Sequence, residues 1–243
     1  MRYFITLSYD GTRFHGWQVQ PNGISVQGEL DHGLSLLLHR NVQTVGAGRT
    51  DAGVHASMMV AHFDSDEEVD GQQLAYKLNK LLPRDIAIQK IERVPDDWHA
   101  RFSATSRTYH YFLHTEKSPF LRHYSCELHY PLDFAKMNEA ATILLEYEDF
   151  GAFCKSGADV KTTLCHVTKA CWEQTAPAQW RFEITANRFL RNMVRAVVGT
   201  LVDVGRGRLS LEDFRQVIEG KCRSDAGESM PGNALFLVNI TYP

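Results

Sequence analysis

Strand-like segments of alternating apolar residues and longer segments with apolar residues at helical spacing follow one another twice along this 243-residue chain. A rhythm of that kind calls for layers, because each sheet face and helix stripe must bury its apolar side against another element. Residues 3–9 set Tyr3, Ile5, Leu7 and Tyr9 against smaller or polar neighbours and run into Asp10-Gly11, a strand meeting a turn. Ser25 can cap a helix whose Val26, Leu30, Leu34, Leu37 and Leu38 form one stripe. A strand over 58–63 follows, then a helix over 72–82 with Leu74, Leu78, Leu81 and Leu82 on one side and Pro83 stopping it, then a strand over 85–94. The first half therefore reads β-α-β-β-α-β.

The second half repeats the pattern. A strand passes through Tyr109, Tyr111 and Leu113, and Asp133 opens a helix with Met137, Ala141, Leu144 and Leu145 inward. Strands at about 166–173 and 180–186 precede a helix over 188–204, and Ser210 with Asp213 forms a capping-box pattern before a shorter helix ending at Gly220. A last strand covers 235–242. No Pro, Gly and Ser linker separates the halves, so the expected class is α+β, built from two similar α/β units with β-sheets flanked by helices.

Composition narrows the class further. At 44% hydrophobic and 23% charged residues the chain can bury a core, which excludes a disordered or fibrous protein. A net charge of −3 argues against a globally basic nucleic-acid coat protein and leaves a local basic patch open. The opening Met1–Asp10 is too polar for a signal-peptide core and no run of about 18 apolar residues occurs, so the expectation is a cytoplasmic protein with no membrane segment. The five cysteines are odd in number and contain no C-x-x-C pair, which points to packed, reduced thiols.

Chemistry concentrates in three places. Gly46-Ala-Gly-Arg-Thr-Asp-Ala-Gly-Val-His55 puts Arg49 and Asp51 two residues apart in a glycine-rich loop, where both can face one pocket and a carboxylate beside guanidinium groups stays ionised. Such a carboxylate suits a nucleophile or a base; an ordinary turn with a solvated ion pair has the same spacing. On a helix over 188–204, Arg188, Arg191 and Arg195 fall on one face opposite Phe189, Met193, Val197, Leu201 and Val204, a basic stripe without acidic partners four residues away. Arg181, Arg206, Arg208 and Arg223 add to the local positive charge. The strand Ser106-Arg-Thr-Tyr-His-Tyr111 presents Arg107, Tyr109 and Tyr111 on one side, able to stack a base and hold its backbone, or simply to fill a half-buried sheet. No phosphate loop, dinucleotide fingerprint or nucleophile elbow occurs, and no ligand cluster with metal spacing beyond the loose set Asp51, His55 and His62.

The sequence resembles the TruA-like family of tRNA pseudouridine synthases along essentially its whole length. The blocks that carry the likeness include Tyr9-Asp-Gly-Thr with Phe14, Gly16, Trp17 and Gln18, then Gly48-Arg-Thr-Asp-Ala-Gly-Val-His-Ala56. Further blocks are His99-Ala-Arg-Phe-Ser-Ala104, Arg107-Thr-Tyr-His-Tyr111, Asn187-Arg-Phe-Leu-Arg-Asn-Met-Val-Arg195 and Ala234-Leu-Phe-Leu237. The resemblance implies an enzyme that isomerises uridine to pseudouridine in the anticodon stem-loop of tRNA, without cofactor or metal and as a homodimer. It implies the pseudouridine synthase fold, with an N-terminal domain over 1–105 carrying the aspartate loop and a C-terminal domain over 106–243 completing a central RNA-binding cleft.

By motif, Asp51 matches the catalytic aspartate, Arg49 the arginine that holds the target nucleotide out of the stack, and Tyr109 the tyrosine that stacks on the uracil and is a candidate base for the C5 proton. Arg195 matches the arginine paired with the aspartate and Leu235 the apolar residue against the base; Arg107, Tyr111, Arg188 and Arg191 are the further expected substrate contacts. Departures are His110 and Ala234, where arginine and glycine are common, and Cys154, where serine or arginine is. Two rival readings remain: a catalytically silent RNA-binding or RNA-folding protein on the same fold, and a metal-dependent hydrolase using Asp51, His55 and His62.

Overall fold

The alternating start of the chain forms β1 (Arg2–Tyr9) in the computed structural model, which describes residues 1–158 and 160–243. Two units separate by their internal contacts, residues 1–105 with 236–243, and residues 106–235. Among the described residues no helix is long and apolar enough to cross a membrane.

In the first unit β1 lies antiparallel between β3 (His55–Asp64) and β4 (Ile86–Val94), while the short β2 (Val45–Gly46) pairs antiparallel with β3. Side chains alternate across a strand, so Tyr3, Ile5 and Leu7 share one face and Phe4 takes the other. Helices α1 (Val26–Leu38) and α2 (Gly71–Leu81) bury Leu30, Leu34, Leu74 and Leu78, and Tyr3 Oη accepts the Val69 N–H just ahead of α2 at 2.9 Å. Ser25 Oγ accepts from Gly28 N–H and Asp70 from Gln73 N–H, each satisfying one orphan donor of a helix start. Leu81, expected inward, is 45% exposed at the last turn of α2.

Phe4 is covered by Trp98 and Tyr242, with ring centroids 5.9 and 5.0 Å away. Tyr242 follows β9 (Leu235–Thr241), which runs parallel to β3 with His55 opposite Phe236 and Ala56 opposite Leu237. Residues 236–243, which the sequence reading groups with 106–235, thus lie with the first unit because their backbone and Tyr242 are bonded there.

In the second unit β5 (Ser106–His114) pairs with β8 (Gln179–Ala186) and β8 with β7 (Val167–Ala176), both antiparallel, and the short β6 (Cys126–Glu127) pairs parallel with the end of β5. One face is apolar: Tyr111, Leu113, Phe182, Ile184 and Trp172 are buried, and Phe134 of α3 (Phe134–Ile143) stacks on Trp180 at 3.6 Å and meets Trp172 edge-on. The other face is polar, with His110 3.2 Å and Lys169 2.7 Å from the Glu183 carboxylate. The α+β class, with sheets flanked by helices, is borne out. Of the thiols, Cys126, Cys154 and Cys165 are buried, Cys171 is half-buried and Cys222 exposed, and all five are free.

Two sequence readings need correction. The helix over 188–204 begins late: α4 spans Met193–Gly205, because Asn192 takes a left-handed conformation (φ 68°) that a helix interior does not admit. Its basic stripe vanishes with it. Every residue of α4 except Arg195 and Asp203 is buried, while Arg188 and Arg191 precede the helix. Leu145 is 43% exposed, because α3 tightens into a 3-10 turn over Leu144–Glu146 whose shorter repeat rotates it outward. The capping box of Ser210 and Asp213 opens α5 (Leu211–Gly220) as expected.

Each unit holds an outer strand with one asparagine. Asn79 exchanges two hydrogen bonds with the backbone of Ile88 (2.7 and 2.8 Å), and Asn138 does the same with Trp172 (2.7 and 3.1 Å). Truncation orphans a donor and an acceptor together. Asn138→Ala is expected to lower unfolding stability by about 1–3 kcal/mol, read from urea midpoints at constant m-value.

His62 gives a pH prediction. It is 4% exposed, its Nδ1 accepts the Ala100 N–H at 3.1 Å, and its pKa is held down to about 4, first by burial and then by Arg2 and His99, with Asp64 opposing. Above its ordinary value of 6.5 the imidazole is neutral folded or unfolded; between 6.5 and about 4 only the unfolded chain takes the proton. Stability from this group therefore falls as pH drops through that window, by up to about 1.4 kcal/mol per pH unit, and levels off below it. Urea midpoints across the window should fall more steeply for the wild type than for His62→Gln.

Candidate active site

The Gly46–His55 loop joins β2 to β3, and its residues alternate in burial: Ala47 and Thr50 are buried, Arg49 is exposed and Asp51 half-buried. Thr50 is the anchor. Its Oγ1 lies 2.8 Å from Tyr9 Oη at the end of β1, and its carbonyl accepts the Trp17 N–H at 3.2 Å. Ala47 N–H donates to Val60 O (2.8 Å), Val54 N–H to Asp51 O (3.2 Å) and Gly53 N–H to Phe14 O (3.3 Å). The segment 10–17 thus braces the loop from beneath. It comes this close because Gly16 has φ +91° and no side chain: a Cβ there would sit 2.3 Å from Thr50 O, and one on Gly11 2.1 Å from Val54 O. The backbone between Arg49 and Asp51 is consequently fixed.

His55 and His62 are already used within the first unit. His55 Nδ1 accepts the Gly11 N–H at 3.0 Å and its ring stacks 4.5 Å from Phe236, whereas His62 binds Ala100. Among the described residues no three His, Cys, Asp or Glu side chains form a group that could hold a metal ion.

In the second unit β5 presents the aromatic pair at different depths. Tyr109 is 9% exposed and meets Phe189 edge-on at 5.1 Å. Tyr111 is fully buried, donates its hydroxyl to Pro231 O at 3.1 Å, and has its phenol pKa raised by burial and then by neighbouring Cys126. Arg107 Nη1 donates to Asn187 O at 2.7 Å. Arg188 reaches Thr162 O at 3.4 Å, and Arg191 is exposed, its carbonyl accepting the Lys155 N–H at 3.0 Å. His110 is on the opposite face of β5, with Glu183, and burial followed by Arg181 lowers its pKa.

Arg195 sits in the first turn of α4, under a strap formed by residues 222–231. Its Nε donates to Met230 O, and the Met230 N–H returns a bond to Arg195 O at 3.1 Å. Arg223 gathers the strap by donating to Ala226 O (3.2 Å), Gly227 O (3.0 Å) and Ser229 Oγ (2.7 Å), and Asn192 adds a bond to Ser229 Oγ at 2.6 Å. Gly199 lets the strap cross the helix, since a Cβ there would lie 1.8 Å from Glu228 O. Leu235, 6% exposed, follows a 3-10 turn over Gly232–Ala234. Neither this strap nor the 10–17 brace was read from the sequence, although Gly16-Trp17, Gly199 and Gly227 mark both.

Comparison with known proteins identifies the family. A family model described as tRNA pseudouridine synthase matches residues 5–103 and 140–243. The chain is 58% identical over 243 residues to tRNA pseudouridine synthase A of Bacteroides fragilis, covering 100% of this chain and 96% of the relative. To the protein of that name from Porphyromonas gingivalis it is 52% identical (100% and 97% covered), and to that from Bacillus subtilis 41% (100% and 99%). Identity at that level over both whole chains, with a family match on most of the sequence, leaves one conclusion: the chain belongs to the tRNA pseudouridine synthase family.

Proposed function

We propose that this protein converts uridine to pseudouridine in the anticodon stem-loop of tRNA, acting in the cytoplasm as a homodimer. The reaction breaks the N1–C1′ bond and joins C1′ to C5; C5 loses a proton and N1 gains one. It therefore balances without a redox partner or a co-substrate. Asp51 is the catalytic residue. Its carboxylate attacks C1′ or C6, or takes the C2′ proton to give a glycal, and all three routes need a carboxylate held at one point. The observation that carries this reading is the clamped backbone on either side of Asp51, from Thr50 to Val54.

The other roles follow by motif. Arg49 holds the extruded nucleotide, a state that costs a few kcal/mol of lost stacking. Tyr109 stacks on the uracil and accepts the C5 proton, its ring steadied by Phe189. Arg195 offsets negative charge during the reaction, Leu235 packs on the base, and Arg107, Arg188 and Arg191 meet the RNA backbone. Tyr111, hydrogen-bonded in the interior, supports the strand under Tyr109. A silent RNA-binding protein is not favoured, because binding phosphate needs no aspartate beside an arginine.

Unmodified tRNA transcripts incubated with enzyme and a chelator, then mapped by carbodiimide-stop sequencing, test this. Wild type should give stops in the anticodon stem-loop, and Asp51→Ala none above background while still binding tRNA. Turnover by Asp51→Ala would refute the assignment. Arg191→Ala should weaken tRNA binding and reduce its salt slope by about one, whereas Arg195→Ala should lower kcat more than affinity. Loss of affinity alone in both variants would overturn that division.

A further inference from the structure

Phe102 is 75% exposed, and the turn that carries it leaves it little freedom. Ser103 N–H donates to His99 O and His99 N–H to Ser103 Oγ, both at 2.9 Å, while His99 Nδ1 accepts from the N–H groups of Arg101 (3.1 Å) and Phe102 (3.3 Å). Beneath them Ala100 is fully buried, donating to His62 Nδ1 and accepting Tyr242 Oη at 2.7 Å, which fixes the turn to the first unit's sheet. The His99 ring lies 4.3 Å from that of Phe102, tilted by 37°, and the Arg101 guanidinium carbon lies 5.6 Å from the Phe102 centroid.

An exposed cation–ring contact contributes only about 0.5–1 kcal/mol, which does not account for presenting a phenylalanine to water on so rigid a support. The ring needs a partner from outside. A protein interface would call for contiguous apolar area, yet the chain neighbours of Phe102 are Arg101 and Ser103 and its ring contacts are the polar side chains of His99 and Arg101. A nucleotide fits better: every base offers a flat π face, and its phosphate suits a guanidinium next to the stacking ring.

We propose that Phe102 is a stacking platform for an unpaired base of the tRNA, with Arg101 meeting the adjoining phosphate, a contact additional to the residues that perform the isomerisation. Because the turn is pre-ordered, stacking requires little further loss of freedom. The proposal rests on tRNA being the substrate and is independent of the role given to Asp51.

The test compares wild type with Phe102→Ala, Phe102→Leu and Phe102→Trp on unmodified tRNA. The alanine and leucine variants should raise KM and Kd for tRNA by roughly 5- to 150-fold with kcat unchanged, and Phe102→Trp should restore both. Added tRNA should also quench the extra emission of Phe102→Trp over wild type. All three variants should melt with the wild type, since the ring is exposed. A wild-type KM for Phe102→Leu, unquenched emission, or a changed sedimentation mass with unchanged KM would each overturn the proposal, the last assigning the ring to a second copy of the chain. If wild type forms no pseudouridine in tRNA, the function proposed above fails instead, and quenching by tRNA still decides this contact.

Discussion

The side chain and carbonyl of one buried residue, Thr50, tie the candidate aspartate to the sheet. Its hydroxyl meets Tyr9 at the last position of β1 and its carbonyl meets the Trp17 N–H, so the loop takes its position from a strand hydrogen-bonded on both edges. Each bond is worth only about 1 kcal/mol net. Their larger effect is on geometry, because a reacting group displaced by about 1 Å can lose two orders of magnitude in rate. The glycines at 11 and 16 belong to the same device: without them segment 10–17 could not lie under the loop.

Arg195 poses the opposite electrostatic problem and receives a comparable solution. A cation in the first turn of a helix faces the positive end of the macrodipole, an unfavourable place unless something negative answers it. The Met230 carbonyl does so in part, held at the guanidinium by a strap that Arg223 draws together. Helix terminus and guanidinium together make a region suited to an anion, consistent with the charge-offsetting role proposed for Arg195.

What could be read in advance was what local physics decides. Helices 26–38, 71–81 and 211–220 were legible from stripes and caps, because Ser25 and the Ser210–Asp213 box act within one turn. The start of α4 was not. Asn192 is left-handed while its side chain reaches Ser229, a contact 37 residues away that no periodicity carries. Tyr109 and Tyr111 share a strand parity, so the sequence could place them on one face but could not order their depths; the chain at Pro231, 120 residues on from Tyr111, takes up the Tyr111 hydroxyl. The Arg49 and Asp51 pair was legible as a loop feature, while the burial of Thr50 between them depends on Tyr9 and Trp17.

A net charge of −3 is compatible with a polyanionic substrate once distance is considered. Exposed charges act over about 8–10 Å at ordinary salt, so local pairing matters more than the sum. Several carboxylates are cancelled where they stand: Asp64 by Arg2 at 2.8 Å, Asp149 by Lys221 at 2.8 Å, and Glu146 by Arg215. A phosphate approaching those places meets nearly neutral pairs. Arg49 on its braced loop and Arg191 ahead of α4 present positive charge at the surface, the first on backbone already fixed by hydrogen bonds. RNA recognition on such a protein is set by a few rigidly placed cations and rings rather than by overall basicity, which is why composition alone did not point to it.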